Sequence, residues 1–259
     1  MILTSRAGSA GGPKPGRAGF YLELGGRAHK IASMSTNAAL DLRKAKRWLK
    51  ILHGQVLQLR HDQEIWHAIQ TMISANSELH RRSAFYGWLN NIYVSAMAMA
   101  IRRQTDTDTR SISMLRFLKL LKGNPSLVSR QRYRALFQRS PFEAEVAAMG
   151  FTPKGIADQD YDRIVGKRKS QPTSDDFQAE INRLTRVTNN IVRLANKRIA
   201  HHDTTSPRRL PTFAEVSIAI DYLENLVRKY KLLFEAVSPS MAVTHTDDWT
   251  AIFRSPWLK

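Results

Sequence analysis

From about residue 35 onward, apolar positions recur at intervals of three and four, the period of a helix with one buried face. Leu40, Ala45, Leu49, Leu52, Val56 and Leu59 mark a first helix. Asp62 is placed to cap a second, with Ile65, Ile69, Met72 and Ile73 turned inward. Ser77 opens a long third helix carrying Phe85, Trp88, Leu89, Ile92, Ala96 and Ala100. A polar turn from Gln104 to Arg110 leads to a shorter helix with Met114, Leu115, Leu118 and Leu121, which Gly123-Asn124-Pro125 ends. Ser140-Pro141-Phe142-Glu143 reads as a capping box with proline in the first helical position, and Gly150 as a C-terminal stop.

Residues 151–172 form a polar, basic connection that includes Lys167-Arg168-Lys169. Ser174, with Asp175 and Asp176 in the first turn, launches a long helix whose buried stripe is Phe177, Ile181, Leu184, Ile191 and Leu194, running into Arg198 and His201. Pro207 and Pro211 bound a loop. Thr212-Phe213-Ala214-Glu215 is a second capping box, and the final long helix uses Val216, Ile220, Leu223, Leu226, Tyr230 and Leu233. Trp249, Phe253 and Trp257 recur every four residues in the tail, a spacing expected to lay it across the bundle. No strand pattern and no internal repeat is present. The pattern predicts an all-α, antiparallel helical bundle with long paired C-terminal helices. Residues 1–33, with Gly-Gly pairs, Pro13, Pro15 and no sustained period, read as a disordered leader, with Met34 as an alternative start. Residues 34–259 read as a single helical domain that includes the aromatic tail.

Charge changes the picture. Among 259 residues, 40 Lys and Arg face 22 Asp and Glu, a formal net charge of +18. Folding alone does not require such an excess; it favours a polyanionic partner. There is no cysteine, which excludes disulfides, cysteine zinc sites and thiol catalysis and fits a cytoplasmic location. The richest apolar run, Ile92–Ile101, is about half the length a membrane-crossing helix needs, so no membrane partner is expected.

Candidate chemistry concentrates in Asn196-Lys197-Arg198-Ile199-Ala200-His201-His202-Asp203, at the end of the long helix from Ser174. On an α-helix Arg198 neighbours both His201 and His202, while Arg193, Lys197 and His201 fall at intervals of four. A histidine can move a proton, nearby cations favour its neutral form and can stabilise phosphate charge, and the set suits phosphodiester chemistry. The structural alternative is that basic side chains near a helix C-terminus complement the macrodipole and cap free carbonyls. A metal phosphohydrolase reading on His202-Asp203 would need further ligands. His53, His61, His67 and His80 are available but share no evident site, so no metal and no cofactor is expected.

The segment Asn196–His201, between two long helices, resembles the signature of the HEPN superfamily, and most closely its abortive-infection branch of AbiU type. Three other stretches fit that branch: Phe85-Tyr86-Gly87-Trp88 leading to Arg102-Arg103, Asp106-Thr107-Asp108 followed by Ser111–Leu115, and Asp248-Trp249 with Ile252-Phe253 and Pro256-Trp257. The resemblance implies a HEPN-type helical bundle and a metal-independent endoribonuclease from a prokaryotic defence or toxin–antitoxin setting. It also implies a homodimer with a composite cleft, RNA as substrate, and an antitoxin or other defence-system partner. His201 would activate the ribose 2′-hydroxyl, with His202 beside it. The arginine implied four to six residues before the near side of His201 is absent, since Ala195 and Asn196 stand there. Arg198, with Asn196, would take over phosphate stabilisation. The alternative is a non-catalytic module that binds nucleic acid or a partner.

Between Asp108 and Glu143 there is no acidic residue, while Arg110, Arg116, Lys119, Lys122, Arg130, Arg132, Arg134 and Arg139 fall there with Tyr133 and Phe137 interleaved. That is suitable equipment for single-stranded RNA, as it is for a solvated helix face over core aromatics. Arg193, Lys197, Arg130, Arg132 and Arg134 are the candidate nucleic-acid contacts. Asp106 and Asp108 are expected to hold Arg102-Arg103 or to cap the next helix.

Overall fold

Two capping boxes start the two helices that organise the molecule. In the computed structural model, Thr173 Oγ1 accepts the backbone N–H of Asp176 at 3.2 Å, and the Asp176 carboxylate accepts the Thr173 N–H at 2.8 Å. Thr212 and Glu215 repeat the arrangement at 3.2 and 2.8 Å. Each box satisfies N–H groups that a helix start leaves unpaired. The first begins one residue earlier than expected, with Thr173 rather than Ser174 as the cap.

The structure describes residues 18–80, 83–137, 148, 150, 152–200, 209–242 and 248–254, with the backbone alone for 18–36. Among them every regular element is helical: α1 (Ala18–Ala75), α2 (Ala84–Gln104), α3 (Met114–Gly123), α4 (Arg130–Phe137), α5 (Pro153–Val165), α6 (Ser174–Leu194) and α7 (Phe213–Glu235). Single turns of tighter helix lie at Ser77–His80, Pro125–Val128 and Trp249–Arg254. The all-α expectation therefore holds for the described residues. The capping box at Ser140–Glu143 lies outside them, as do His201, His202, Asp203 and Trp257. The chain divides into two compact units, Met1–Asp41 and Leu42–Lys259, with the division inside α1. In the first, the backbone is helical from Ala18, within the stretch read as leader.

In the second unit, α6 is the central element, packing against α2, α3 and α7. Phe177, Ile181, Leu184, Thr188, Ile191 and Leu194 are its buried face. Thr188 is tolerated there because its hydroxyl donates to the Leu184 carbonyl at 2.8 Å, which keeps that group paired inside the core. On α7, Ile220, Leu223, Leu226, Tyr230 and Leu233 are buried, as their spacing predicts, and Val216 packs on the core from its edge.

Four expectations are corrected. Asp62 does not begin a second helix: α1 runs through it to Ala75. The buried stripe of α1 continues past that point through Gln63 and Trp66, and Asp62 accepts from Gln58 at 2.7 Å on the outer face. Its residue type suits a cap, but no glycine or proline nearby stops the helix. The connection 151–172 contains α5, whose start is capped by Thr152 with Pro153 in its first turn. On α2, Met97, Ala98, Ile101 and Gln104 are buried, whereas Phe85, Trp88 and Ile92 are about half exposed. The third helix itself begins at Ala84, with Ser83 as its cap, while Ser77 opens only a short turn.

Polar clamps cross the core. Arg60 on α1 donates to Glu224 at 2.6 Å and Asp221 at 2.6 Å on α7, and to Gln63 at 2.8 Å; Gln63 in turn donates to Ser217 at 2.8 Å. Gln104 donates to Gln55 at 2.8 Å, tying α2 to α1. Asp106 and Asp108 shape the turn before α3. Asp108 accepts the Arg110 backbone N–H and pairs with its guanidinium at 2.9 Å, while Ser113 caps α3.

Helix α7 ends at Ala236, whose φ of 54° and ψ of 29° are left-handed. A Cβ there costs about 1–2 kcal/mol that glycine avoids, partly offset by glycine's greater chain entropy. Ala236→Gly is therefore expected to stabilise the fold by about 0.5–1 kcal/mol. Chemical denaturation would show a higher midpoint; an equal or lower one would contradict the left-handed terminus.

Candidate functional site

The last turn of α6 gives way at Leu194 to a π-helical turn, Ala195–Ala200. Leu194 and Ala195 are consecutive and both buried, and Ile199 also packs on the core. These positions continue the i, i+3, i+4, i+8 spacing from Ile191, so the buried stripe runs on while the bonding widens to i→i+5. The turn packs against α2.

This shift changes the expected neighbours. Alignments based on three- and four-residue spacing, Arg198 with His201 and His202 and Arg193 with Lys197 and His201, apply only while the helix is α, which ends at Leu194. Both histidines lie outside the described residues. Of the other candidates, Arg193, Asn196 and Arg198 are exposed and Lys197 is half-buried. Of the two positions at which an arginine is implied, Ala195 is fully buried and Asn196 is exposed.

Asn196 is held from across the bundle. Its side-chain carbonyl oxygen accepts a short hydrogen bond from Arg102 Nε, in the last turn of α2. That turn is closed by Thr105, whose backbone N–H and hydroxyl both donate to the Arg102 carbonyl, at 3.0 and 2.9 Å. The two residues are 94 positions apart, so no local spacing relates them. Arg102 was not among the candidate site residues read from the sequence, although Arg102-Arg103 closes one of the stretches that resemble the AbiU branch.

Beyond the turn, Glu215 gathers three partners. It accepts from Thr212 N–H, takes Asn190 of α6 at 2.8 Å and pairs with Arg209 at 3.1 Å. These donors, the Thr212 N–H first, hold its carboxyl below the usual range. Beside this brace lies an apolar cavity of about 300 Å³ lined by Tyr93, Met97, Leu194, Pro211, Phe213 and Val216. Trp66 stacks on Tyr93 with ring centroids 4.3 Å apart, and burial pushes the Tyr93 hydroxyl up to about 12, so it stays neutral.

The second candidate surface is differently built. Arg134 grips Asp158 through two hydrogen bonds of 2.7 and 2.8 Å. Arg130 contacts Asp158 and Asp162, donates to the Lys169 carbonyl at 2.9 Å and lies over the Tyr161 ring at 4.7 Å. These pairs join α4 to α5. Tyr133 is buried, with its ring 5.2 Å from Phe137, which leaves it inside rather than available for base stacking. Arg132 is half-buried and lines, with Lys46, Leu136 and Leu233, a cavity of about 270 Å³.

Among the described residues, no group of three His, Asp or Glu could hold a metal ion. His61 and Asp62 stand 3.5 Å apart on the α1 surface without further ligands of that kind. Among the same residues, no helix is long and apolar enough to cross a membrane.

The family model described as AbiU2, of the HEPN type, matches residues 42–252. That is most of the chain, and it belongs to the HEPN AbiU2 family, an abortive-infection-type group. No curated protein and no solved structure matches it.

The α4–α5 pairs carry a pH signature. Arg134 first, then Arg130, holds the Asp158 carboxyl below its usual range, and Arg130 does the same for Asp162. A carboxylate whose folded pKa is depressed contributes fully above its unfolded value of about 3.9, and the contribution is lost as pH falls through the folded value. The thermal midpoint of wild type is therefore expected to fall below about pH 4 more steeply than that of Asp158→Asn. Parallel profiles would show that these pairs contribute nothing to acid stability.

Proposed function

We propose that this chain is an RNA-acting HEPN protein of a prokaryotic defence or toxin–antitoxin system, a metal-independent endoribonuclease working in the cytoplasm as a homodimer. The observation that carries this reading is the π turn, which presents Asn196 and Arg198 at the surface immediately before His201. Such interruptions of helical bonding are frequent at functional sites. The +18 charge of the chain supports a polyanionic substrate, and family membership supports the setting.

In the proposed reaction His201 takes the proton of a ribose 2′-hydroxyl. The 2′-oxygen attacks phosphorus, the bond to the 5′-oxygen breaks, and that oxygen leaves with a proton returned by the imidazolium. The products are a 2′,3′-cyclic phosphate and a 5′-hydroxyl end. Arg198 and Asn196 would donate to the phosphorane oxygens, the charged group contributing more than the neutral one. His202 would stand beside the base, and Arg193 and Lys197 would hold flanking phosphates. A second copy would complete the cleft. An antitoxin or other partner would restrain it.

A binding-only module is the second reading, favoured by one observation: position 195 is a buried alanine, so the turn itself lacks the implied arginine. The two separate cleanly. Wild type incubated with mixed cellular RNA in EDTA is expected to leave cyclic phosphate ends, and His201→Ala to lower the rate by about 10²-fold or more. Cleavage unchanged in His201→Ala would remove the histidine from the mechanism. No cleavage in EDTA or with added divalent ions, together with retained RNA binding, would leave the binding module.

A further inference from the structure

We infer that Arg102, from α2, is the arginine that grips the RNA phosphodiester at this site, held in place by Asn196. The inference rests on the reading of the π turn as an RNA site, and it assigns the phosphate contact to a residue outside that turn.

What holds Arg102 separates it from the arginines committed to acids. Arg60, Arg110, Arg130, Arg134, Arg163, Arg209, Arg228 and Arg254 all pair with carboxylates. Arg102 has no carboxylate partner among the described residues; it is held by the neutral amide oxygen of Asn196. A carboxylate would fix the side chain and cancel its charge. An amide oxygen fixes it and leaves the full positive charge for an incoming anion.

The geometry of the fork follows. Nε is engaged by Asn196, while the two Nη groups have no partner among the described residues. Those two groups form the outer edge of the guanidinium, whose parallel donors match two oxygens of one phosphate. The stem is partly buried in the last turn of α2, and the Asn196 bond fixes the head. Much of the rotamer entropy an arginine would lose on binding is therefore already lost in the free protein. Arg103 on α2 and Arg193 and Arg198 around the turn likewise pair with no carboxylate among the described residues, so the local field is positive.

Asn196 is then also a positioning residue: its amide oxygen holds Arg102, while its N–H group is the donor toward the phosphorane oxygens. Ala195 cannot supply the cation, because its side chain is inside.

The test measures binding of a 2′-O-methyl oligoribonucleotide, which cannot undergo 2′-hydroxyl attack, to the full chain by fluorescence anisotropy across a salt series. Thermal melts check each variant. Arg102→Ala is expected to weaken binding about tenfold or more and to reduce the salt slope by about one. Arg102→Lys keeps the charge without the fork and should recover the salt slope but only part of the affinity. Asn196→Ala should weaken binding severalfold with the slope unchanged, since orientation is lost and charge is not. Arg103→Ala, one residue away, should have the smaller effect. If Arg102→Ala melts early, Arg102→Gln decides instead, because it keeps a donor for Asn196. Binding by Arg102→Ala or Arg102→Gln within about twofold of wild type, with the same slope, would overturn the assignment. So would absence of binding by wild type. The cleavage assay in EDTA judges the ribonuclease reading separately: a chain that binds through Arg102 and never cleaves upholds this assignment and sinks that one.

Discussion

The buried stripe of α6 does not stop where its α-helical bonding does. Leu194, Ala195 and Ile199 keep the three- and four-residue spacing from Ile191 and stay on the core through the π turn. That packing fixes which side chains come outward after Leu194. Asn196, between the buried Ala195 and the core-packed Ile199, is exposed and meets Arg102 in the last turn of α2. The packing requirement and the exposed polar group are therefore one feature of the backbone.

The same economy governs charge. A chain with 40 basic and 22 acidic residues cannot pair every cation, and the fold distributes its acids unevenly. Asp158 and Asp162 join α4 to α5 through Arg130 and Arg134, while Asp221 and Glu224 receive Arg60 between α1 and α7. Glu180 takes Lys229 and the Tyr230 hydroxyl across α6 and α7, and its charge together with burial holds that hydroxyl well above its ordinary range. These acids act at helix joints, where partial burial strengthens a pair beyond its value on an open surface. The basic stretch that spans α3 and α4 is thus partly structural. Its strongest arginines are engaged, and its aromatic Tyr133 is core.

What could be read from the sequence was what is local. Thr212 and Glu215 are three residues apart, and both halves of their capping box sit in that interval, so the start of α7 was legible. The stripe from Phe177 to Leu194 was legible because one period holds throughout it. Asp62 misled because a cap-forming residue type fell inside a helix whose stripe continued through Gln63 and Trp66. Helix α5 was hidden because only Ala157 and Tyr161 bury fully, too few positions for a period to emerge. Phe85, Trp88 and Ile92 are a different case: apolar side chains are common on surfaces, and burial does not follow from residue type alone. At the site, the turn itself was legible as a dense polar run. Its partner was not, because Arg102 meets Asn196 through the fold, from a helix 94 residues away.

Glu215, on the helix that follows the site, shows how an acid is kept committed. It is engaged by the Thr212 N–H, by Asn190 and by Arg209, and those donors keep it ionised. A carboxylate fixed in a capping box is poorly free to swing toward another arginine, since doing so would strand the N–H groups it caps. The capping box therefore has two effects from one set of contacts. It starts α7 where the chain must turn, and it ties an acid to that start. Arg102, among the described residues, meets the amide oxygen of Asn196 and no carboxylate, a contact that orients a positive charge without neutralising it.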